Sequence, residues 1–568
     1  MATATDPTTA SDAPATDYGK RQILMILSGL LLGMFLAALD QTIVATAIYK
    51  IGISLHGLTA QAWVTTAFLI TSTISTPLYG KLSDIYGRKP FFLFAISVFI
   101  LGSALCTLST SMYMLAGFRA FQGIGAGGLF SLALAIVGDI IPPRERAKYQ
   151  GYFLAVFGTS SVLGPLVGGA LAGQNSIGGI DGWRWIFLIN VPIGILALVV
   201  VTKVLQLEHV RRDTRIDYWG AATLTVGLIP LLVIAEQGRI WGWASGRAYF
   251  CYALGVLSLT AFVLVQRAMG DEALLPPRLF RNTVFRLGAA QSFIIGIGMF
   301  GSLTLLPLYL QLVKGDSPSR AGLLSLPLVL GLMSASVLAG QVTSRTGHYK
   351  VFPVVGCAIL VIGLLLESRV SANSSLVYVD LSMVVVGAGL GLNLQTIVLA
   401  MQNAVPPRDI GVATSSTTFF RQMGGTLGVA VFLSIVYSTV GSKITSAYQK
   451  AAGDPTFRAA AATPQGRKSL ATLQHAGTQS STLNDTSFLK GIDARLTEPF
   501  REGFTSSVTL CFLLAASVAV IALILTVFIK EVPLRTTAAA FTKDPPEPGT
   551  PAPGGGVGAQ APGSDGGT

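Results

Sequence analysis

Charge is what this chain has least of. Asp, Glu, Lys and Arg make up 12% of its 568 residues, against 51% hydrophobic ones, a balance that excludes an ordinary soluble domain of this size. Histidine and cysteine occur four times each, and neither shows the spacing of metal ligands. Cys106, Cys251, Cys357 and Cys511 fall in four different apolar runs, which predicts packed small side chains and no disulfide. Alternation of apolar and polar residues is missing, which excludes a transmembrane barrel. A GxxxxGK phosphate loop and a nucleophile triad are also missing, so the chain is read as neither an enzyme nor an ATP-driven pump. No cofactor and no metal are called for, and an ion gradient is left as the energy source.

What is there is a series of long apolar runs. They predict an all-α polytopic membrane protein with fourteen spans, each long enough for a core of ~30 Å. Six are expected at 23–48, 61–80, 91–108, 112–141, 149–173 and 184–203, then a pair at 217–236 and 247–267. Six more follow at 284–313, 320–343, 351–369, 376–403, 408–441 and 504–530. The expected units are a first six-helix half over 21–204, the pair within 217–267, and a second half over 284–530 with a long outer loop at 442–503. The ends, 1–20 and 536–568, read as disordered from their Ala, Thr, Pro and Gly content, and no cleavable signal peptide is expected.

The excess of Lys and Arg over Asp and Glu, 39 to 27, is not a nucleic-acid footprint. The basic residues cluster at alternate span ends: Lys81, Arg88 and Lys89; Arg144, Arg146 and Lys148; Lys203, Arg211, Arg212 and Arg215; Arg278, Arg281 and Arg286; Arg345 and Lys350. This positive-inside pattern places both termini in the cytoplasm and the chain in the cytoplasmic membrane.

The two halves repeat each other. Gly123, Gly125, Gly127, Pro142, Pro143 and Arg144 recur as Gly387, Gly389, Gly391, Pro406, Pro407 and Arg408, all shifted by 264, and Gly80 and Gly87 recur as Gly340 and Gly347. Such repeats mark secondary transporters, whose substrate site lies between the halves near the midplane.

Against so apolar a background, single charges stand out. Asp40 interrupts the first run, where a carboxylate would cost ~2.5 to 3.5 kcal/mol on insertion scales unless it faced protein or a watery cavity. Arg119, in the fourth run, lies ~10 to 12 Å below the outer surface, the same depth as Asp40, so an ion pair is possible by depth. Snorkelling to the interface is the alternative. Met383 occupies the repeat position of Arg119, so the fold itself does not demand that charge. Asp139 becomes Asn403 in the repeat and reads equally as gating or as helix-end pairing. Arg421 is the main deep charge of the second half, facing an anionic substrate or a helix end. Glu236 and Glu367 sit near outer span ends, where solvation is expected.

Several strings carry a family resemblance. GKLSDIYGRKP, Gly80 to Pro90, resembles the loop signature of the major facilitator superfamily. It implies a gating loop of Gly80, Asp84, Gly87, Arg88 and Lys89, a latch in which Asp84 and Arg88 hold the cytoplasmic side of the halves together; the second copy has Ser344 in place of Asp84. Arg119 to Gly125, with Gln122 between, resembles the superfamily's R-x-x-Q-G-x-G motif of drug:proton antiporters. Gly158 to Gly169, with Gly164, Pro165, Gly168 and Gly169, resembles the fifth-span motif of its exporters. LDQTIVATAI, Leu39 to Ile48, with Gln41 beside Asp40, is similar to the first-helix signature of the fourteen-helix EmrB/QacA type, as are WRWIFLINVPIG, DYWG and VPLR. Where that family continues Leu-Pro, this chain has Tyr49-Lys50.

The resemblance implies a major facilitator fold, two six-helix halves plus two extra central helices. It implies proton-coupled efflux of small amphipathic drugs or antibiotics by alternating access, with Asp40 and Arg119 as the coupling pair, Gln41 and Gln122 beside them and protons as co-substrate. The alternative is export of lipids or glycolipids, handed to an envelope partner through loop 442–503.

Overall fold

The structure, a computed structural model, describes residues 19–57, 60–206, 215–316, 318–478 and 492–534. The readings for 1–18, Arg211, Arg212 and 536–568 lie outside the described residues. A chain this apolar must satisfy its backbone internally, and helices do so. The principal ones are α1 Lys20–Ser54, α2 Gln61–Tyr86, α3 Arg88–Thr107, α4 Met112–Ile140, α5 Pro143–Gly173, α6 Asn190–Val204, α7 Tyr218–Trp241 and α8 Gly246–Met269. They continue as α9 Thr283–Leu312, α10 Leu326–Thr346, α11 Val351–Glu367, α12 Leu376–Asn403, α13 Ile410–Ala451 and α14 Ala494–Val527. Twelve helices among the described residues are long and apolar enough to cross a membrane, with Val351–Glu367 a shorter apolar one. Helix α2 fills the place of the second expected span and runs six residues past Gly80. No break marks Tyr49-Lys50, since α1 continues to Ser54.

The internal repeat is a packing device. Gly123 and Gly127 lie against the backbone of α2, and their counterparts Gly387 and Gly391 against that of α10. Gly125 lies against α3 and Gly389 against α11. Without side chains there, helix backbones come within contact distance, the usual route to tight association in lipid. Even the caps repeat: Ser111 accepts from the Met114 N–H at the start of α4, and Ser375, 264 residues on, accepts from the Tyr378 N–H at the start of α12.

The extra pair has a defined place. Asp217 of DYWG caps α7 through the Gly220 N–H at 2.6 Å and accepts from Gln266 Nε2 at 2.6 Å and the Leu274 N–H at 3.0 Å. The pair is thereby knotted at one end. Leu224, Leu228 and Leu232 of α7 share a core cluster with Ile70 and Ile74 of α2 and with Val412, Ala413 and Phe419 of α13. So α7 covers the line along which one half meets the other.

The expected outer loop at 442–503 is largely helical. α13 runs on to Ala451, two short helices follow at Pro455–Ala462 and Pro464–Thr478, and α14 begins at Ala494. Phe457, Leu473, Leu496 and Phe500 are buried in the same core as α9 and α11, so this segment caps the second half. Residues 479–491 lie outside the described residues.

A Cβ at Gly125 would fall 2.6 Å from Ala95 O and 2.7 Å from Phe99 N, whereas one at Gly117 meets nothing within 4 Å. Gly125→Val is therefore expected to destabilise the detergent-solubilised protein by roughly 1 to 3 kcal/mol or more, and Gly117→Val to leave it unchanged. Size-exclusion profiles after a heating series compare the two directly.

Candidate functional site

Asp40, on α1, is fully buried, and Arg119, on α4, is 1% exposed. Arg119 Nη1 lies 2.5 Å from Asp40 Oδ2. Equal depth has become contact, and the snorkelling alternative for Arg119 does not hold. Gln122, one turn along α4, accepts from Arg119 Nη1 at 2.7 Å and donates through Nε2 to Asp40 Oδ1 at 3.0 Å. Asn190, at the start of α6, donates to the same Oδ1 at 2.8 Å. Ser103, on α3, accepts from Gln122 at 2.6 Å and from Asn190 at 3.1 Å. Phe68, on α2, places its ring 4.0 Å under the guanidinium.

Four helices of the first half, α1, α3, α4 and α6, thus join one hydrogen-bond network around this carboxylate. Burying a charge pair is tolerable only with such support, because every unmet polar atom in a low-dielectric interior is costly. Two atoms do go unmet, Arg119 Nε and Asn190 Oδ1. Sequence reasoning found Asp40, Arg119 and Gln122 but missed Ser103 and Asn190. Asn190 stood inside the quoted WRWIFLINVPIG string, just where the helix breaks between Leu188 and Asn190. Gln41 faces elsewhere: it is half-buried beside this cluster and takes no part in its hydrogen bonds.

The glycine motif of the fifth span lies next to the pair. Gly164 meets Thr42 and the Ile43 backbone, and Gly168 meets Thr46 and Ile43 O. Thr42 Oγ1 donates to Ser160 O at 2.9 Å, tying α1 to α5. On its other side α5 runs antiparallel to the second half. A Cβ on Gly158 would fall 2.7 Å from Met333 and Val329 of α10, and one on Gly322 would fall 2.8 Å from Pro165. Gly169 is half-buried on the same helix. The motif therefore sits between the Asp40 helix and the opposite half.

A second constellation occupies the end of the bundle that bears the basic loops. Arg88 pairs with Asp84 at 2.5 Å and with Asp139 at 2.6 Å, and donates to Ser83 Oγ at 2.6 Å. Asp84 Oδ2 accepts from the Val412 N–H at 3.1 Å, at the start of α13. That bond crosses between halves. Gly80 packs against Gly411 and Ser415, and Gly411 against Arg88 and Asp84. Gly87 turns the chain at φ 100°, a left-handed conformation that suits glycine. Asp139 is thus a helix-end partner of Arg88. Lys89 belongs elsewhere: it donates to Thr202 O at 2.8 Å within its own half.

Sequence reasoning missed the rest of this seam. Arg146, 1% exposed, donates to Gln402 Oε1 at 2.5 Å across the halves and to Gly138 O at 2.6 Å. Arg278 pairs with Asp409 at 2.8 Å and Asp271 at 2.7 Å. Both arginines stood among the basic residues used only for topology. Burial pushes the Asp84 carboxyl up to about 6, against the pull of Arg88 and with a further push from Asp139. Burial likewise lowers Lys81, opposed by the Asp84 charge.

Arg421 joins neither constellation. It is half-buried on α13, and no described hydrogen bond or ion pair engages its side chain; its backbone carbonyl packs against Gly296. Its neighbour Gln422 accepts from Thr76 Oγ1 at 3.3 Å across the halves. Glu367, expected to be solvated, is fully buried. The side chain of Glu236 lies outside the described residues. All four cysteines are free and buried, and no group of three metal-ligating side chains forms among the described residues.

Residues 30–429 match the Major Facilitator Superfamily. An uncharacterized MFS-type transporter of Mycobacterium tuberculosis is 36% identical over 540 residues, covering 94% of this chain and 74% of its own. Multidrug resistance protein 3 of Bacillus subtilis is 34% identical over 516 residues, 90% of this chain and 96% of its own. The proton:xylose symporter XylE, solved with 6-bromo-6-deoxy-D-glucose, is 14% identical and gives a TM-score of 0.56 over 90% of this chain and 97% of its own. The human organic anion transporter MFSD10 is 15% identical and gives 0.54 over 89% and 99%. At such identities the solved structures speak for the fold alone. The long apolar helices, the glycine-packed repeat and these matches lead to one conclusion: the chain belongs to the major facilitator superfamily and is a multi-pass membrane transporter.

Proposed function

We propose that this protein exports small amphipathic drugs from the cell in exchange for protons, by alternating access between its two halves. The observation that carries the reading is the buried Asp40–Arg119 pair, placed one helix contact away from the α5 seam with the second half. The name of the Bacillus relative, a multidrug resistance protein, supports the substrate class. In this reading fourteen spans lie in the cytoplasmic membrane, and the basic end and both termini face the cytoplasm.

Asp40 is the proton carrier. While Arg119 holds it, the carboxylate needs no proton; when movement of α1 against α5 parts the pair, the bare charge in an apolar bundle takes one from the outer side. Each inward proton is worth ~2.3 kcal/mol per 100 mV of membrane potential. Asp84, Arg88 and Arg146 act as the latch of the cytoplasmic end. Arg421 and Gln422 line the meeting surface of the halves at mid-membrane, where Arg421 offers an anionic substrate group a free cation.

Purified Asp40→Asn in liposomes is expected to insert and fold yet to accumulate no fluorescent amphipathic dye against its gradient under an imposed ΔpH. Uphill accumulation by that variant would end the assignment. Arg119→Ala is expected to alter the pH profile of transport, and an unaltered profile would count against the coupling.

The latch makes a separate prediction. An Asp84 carboxyl hydrated in the open state titrates near ~3.9, whereas the joined state holds it at about 6. The joined state therefore binds the proton more tightly. Its advantage from this group is complete below the lower value and is lost as pH rises through the upper one. Distances between spin labels on the cytoplasmic ends of α2 and α13 should shift toward the joined population between pH 7 and pH 4, and Asp84→Asn should flatten that dependence. Equal pH dependence in both proteins would refute it.

A further inference from the structure

Glu367 closes α11 in the second half, and its burial has no structural justification of the kind that Asp40 enjoys. The side chain is fully buried. Ser302 Oγ, on α9, donates to Oε2 at 3.2 Å, while Oε1 is buried without a partner. Among the described residues no cation pairs with it.

The titratable groups on the surrounding elements are otherwise engaged or stand apart. From α9 and the turn after it, Tyr309 donates to Ser371 O at 2.8 Å, and Lys314 donates to Ala372 O at 2.8 Å and Ser374 O at 2.7 Å. From α12, Tyr378 donates to Leu366 O at 2.9 Å, and Asp380 is half-buried with Oδ1 unpartnered. From α14, Glu498 accepts from Asn373 at 3.1 Å, Cys511 donates to Phe432 O at 3.5 Å, and Arg501 and Glu502 make no described bond to Glu367. Arg369, two residues further on, makes no described bond to Glu367.

The internal repeat says which first-half position Glu367 occupies. Gly102 lies against Gln122 and Gly363 against Val386; Phe99 lies against Gly125 and Leu360 against Gly389. Gln122 and Gly125 are the counterparts of Val386 and Gly389 at the offset of 264. Both contacts therefore align α3 with α11 at an offset of 261, and that offset brings Glu367 onto Cys106. Cys106 borders the Asp40 cluster, with Sγ 3.9 Å from Gln122 Oε1. Hence the second half has an acid beside the place where the first half has its ion pair. The counterparts of Arg119 and Gln122 there are Met383 and Val386, both buried and apolar.

We propose that Glu367 is a second proton-binding site, one per half, which holds its proton without an arginine. The inference rests on the proton-coupled reading above. An ionised carboxylate here would have one hydroxyl donor and no cation, whereas the neutral acid leaves no charge uncompensated. Loading forms an O–H bond at the partnerless Oε1, and unloading returns that proton to water when α9 and α11 part. Ser368 to Ser375, the segment that follows Glu367, connects α11 to α12, and Tyr309 and Lys314 tie it down. A transporter with both acids moves up to two protons per cycle.

The test is pH-difference infrared spectroscopy of the full-length protein in lipid, which needs no substrate. The wild type is expected to show a carboxylic-acid C=O band that disappears as pH rises, absent in Glu367→Gln and retained in Asp40→Asn. Ser302→Ala should shift its frequency. Should Glu367→Gln fail to fold, Glu367→Asp keeps the carboxyl on a shorter stem and should move the band. An unchanged band in Glu367→Gln, or in Glu367→Asp where that variant replaces it, overturns the proposal, as does a wild type with no titrating acid band. In proteoliposomes Glu367→Gln should lower the protons moved per dye molecule by up to twofold; an unchanged ratio would also overturn it. Uphill transport surviving in Asp40→Asn would sink the coupling assignment of Asp40 while the Glu367 band still decides this site.

Discussion

A carboxylate and a guanidinium that cannot be left alone in an apolar bundle set the register of the first half. Removing one partner of such a pair typically costs about 3 to 5 kcal/mol, because the other charge stays buried. Asp40 therefore constrains α1, α3, α4 and α6 at once: each of its oxygens has a donor, and Ser103 accepts from both amides. A slip of any of these helices by one residue would strand a charge. The network is satisfied at the carboxylate and not at its periphery, where Arg119 Nε and Asn190 Oδ1 remain open.

From that constraint the rest of the first half follows. Glycines stand wherever α4 must approach α2 and α3, and wherever α5 must approach α1, so the helices can close around the pair. α5 then has two faces with different tasks. One holds Thr42 and Ile43 through Gly164 and Gly168; the other carries Gly158 and Pro165 against the second half. A displacement of the second half along this seam reaches the residues next to Asp40 through a single helix. At the basic end the same economy appears: one backbone N–H, from Val412, ties α13 to an Asp84 already engaged by Arg88.

Much of this was legible in the sequence, and the reasons are physical. Span positions follow from apolar length, and the repeat follows from glycines whose spacing survives because a Cβ would strike backbone. The Asp40–Arg119 contact was legible because two charges at equal depth in an apolar medium have few other options. What stayed hidden were neutral or surface-looking partners. Ser103 and Asn190 carry no charge, so nothing in a linear reading separates them from other buried polar residues. Arg146 and Arg278 were read as topological because basic residues at span ends usually are; only the approach of Gln402 and Asp409 from the other half gives them a second task. Glu367 was misread for a related reason. Its place at a span end suggested water, but the helical segment after α13 and the tethered turn at Ser371 to Ser374 cover that end of the second half.

The two halves now separate into what they share and what they do not. They share the glycine contacts, where a Cβ would strike a neighbouring helix backbone, and the serine caps at Ser111 and Ser375. They do not share their charges. Arg119 faces Met383 across the repeat, Asp84 faces Ser344, and Asp139 faces Asn403, which donates to Val532 O and Pro533 O near the end of the described chain. The second half's interior also holds a neutral polar contact, in which Gln291 donates to Asn393 at 2.8 Å. A charge that the scaffold does without in one copy is not there for the scaffold. By the same reasoning Glu367, an acid placed where the first half has a thiol, must be explained by something other than packing.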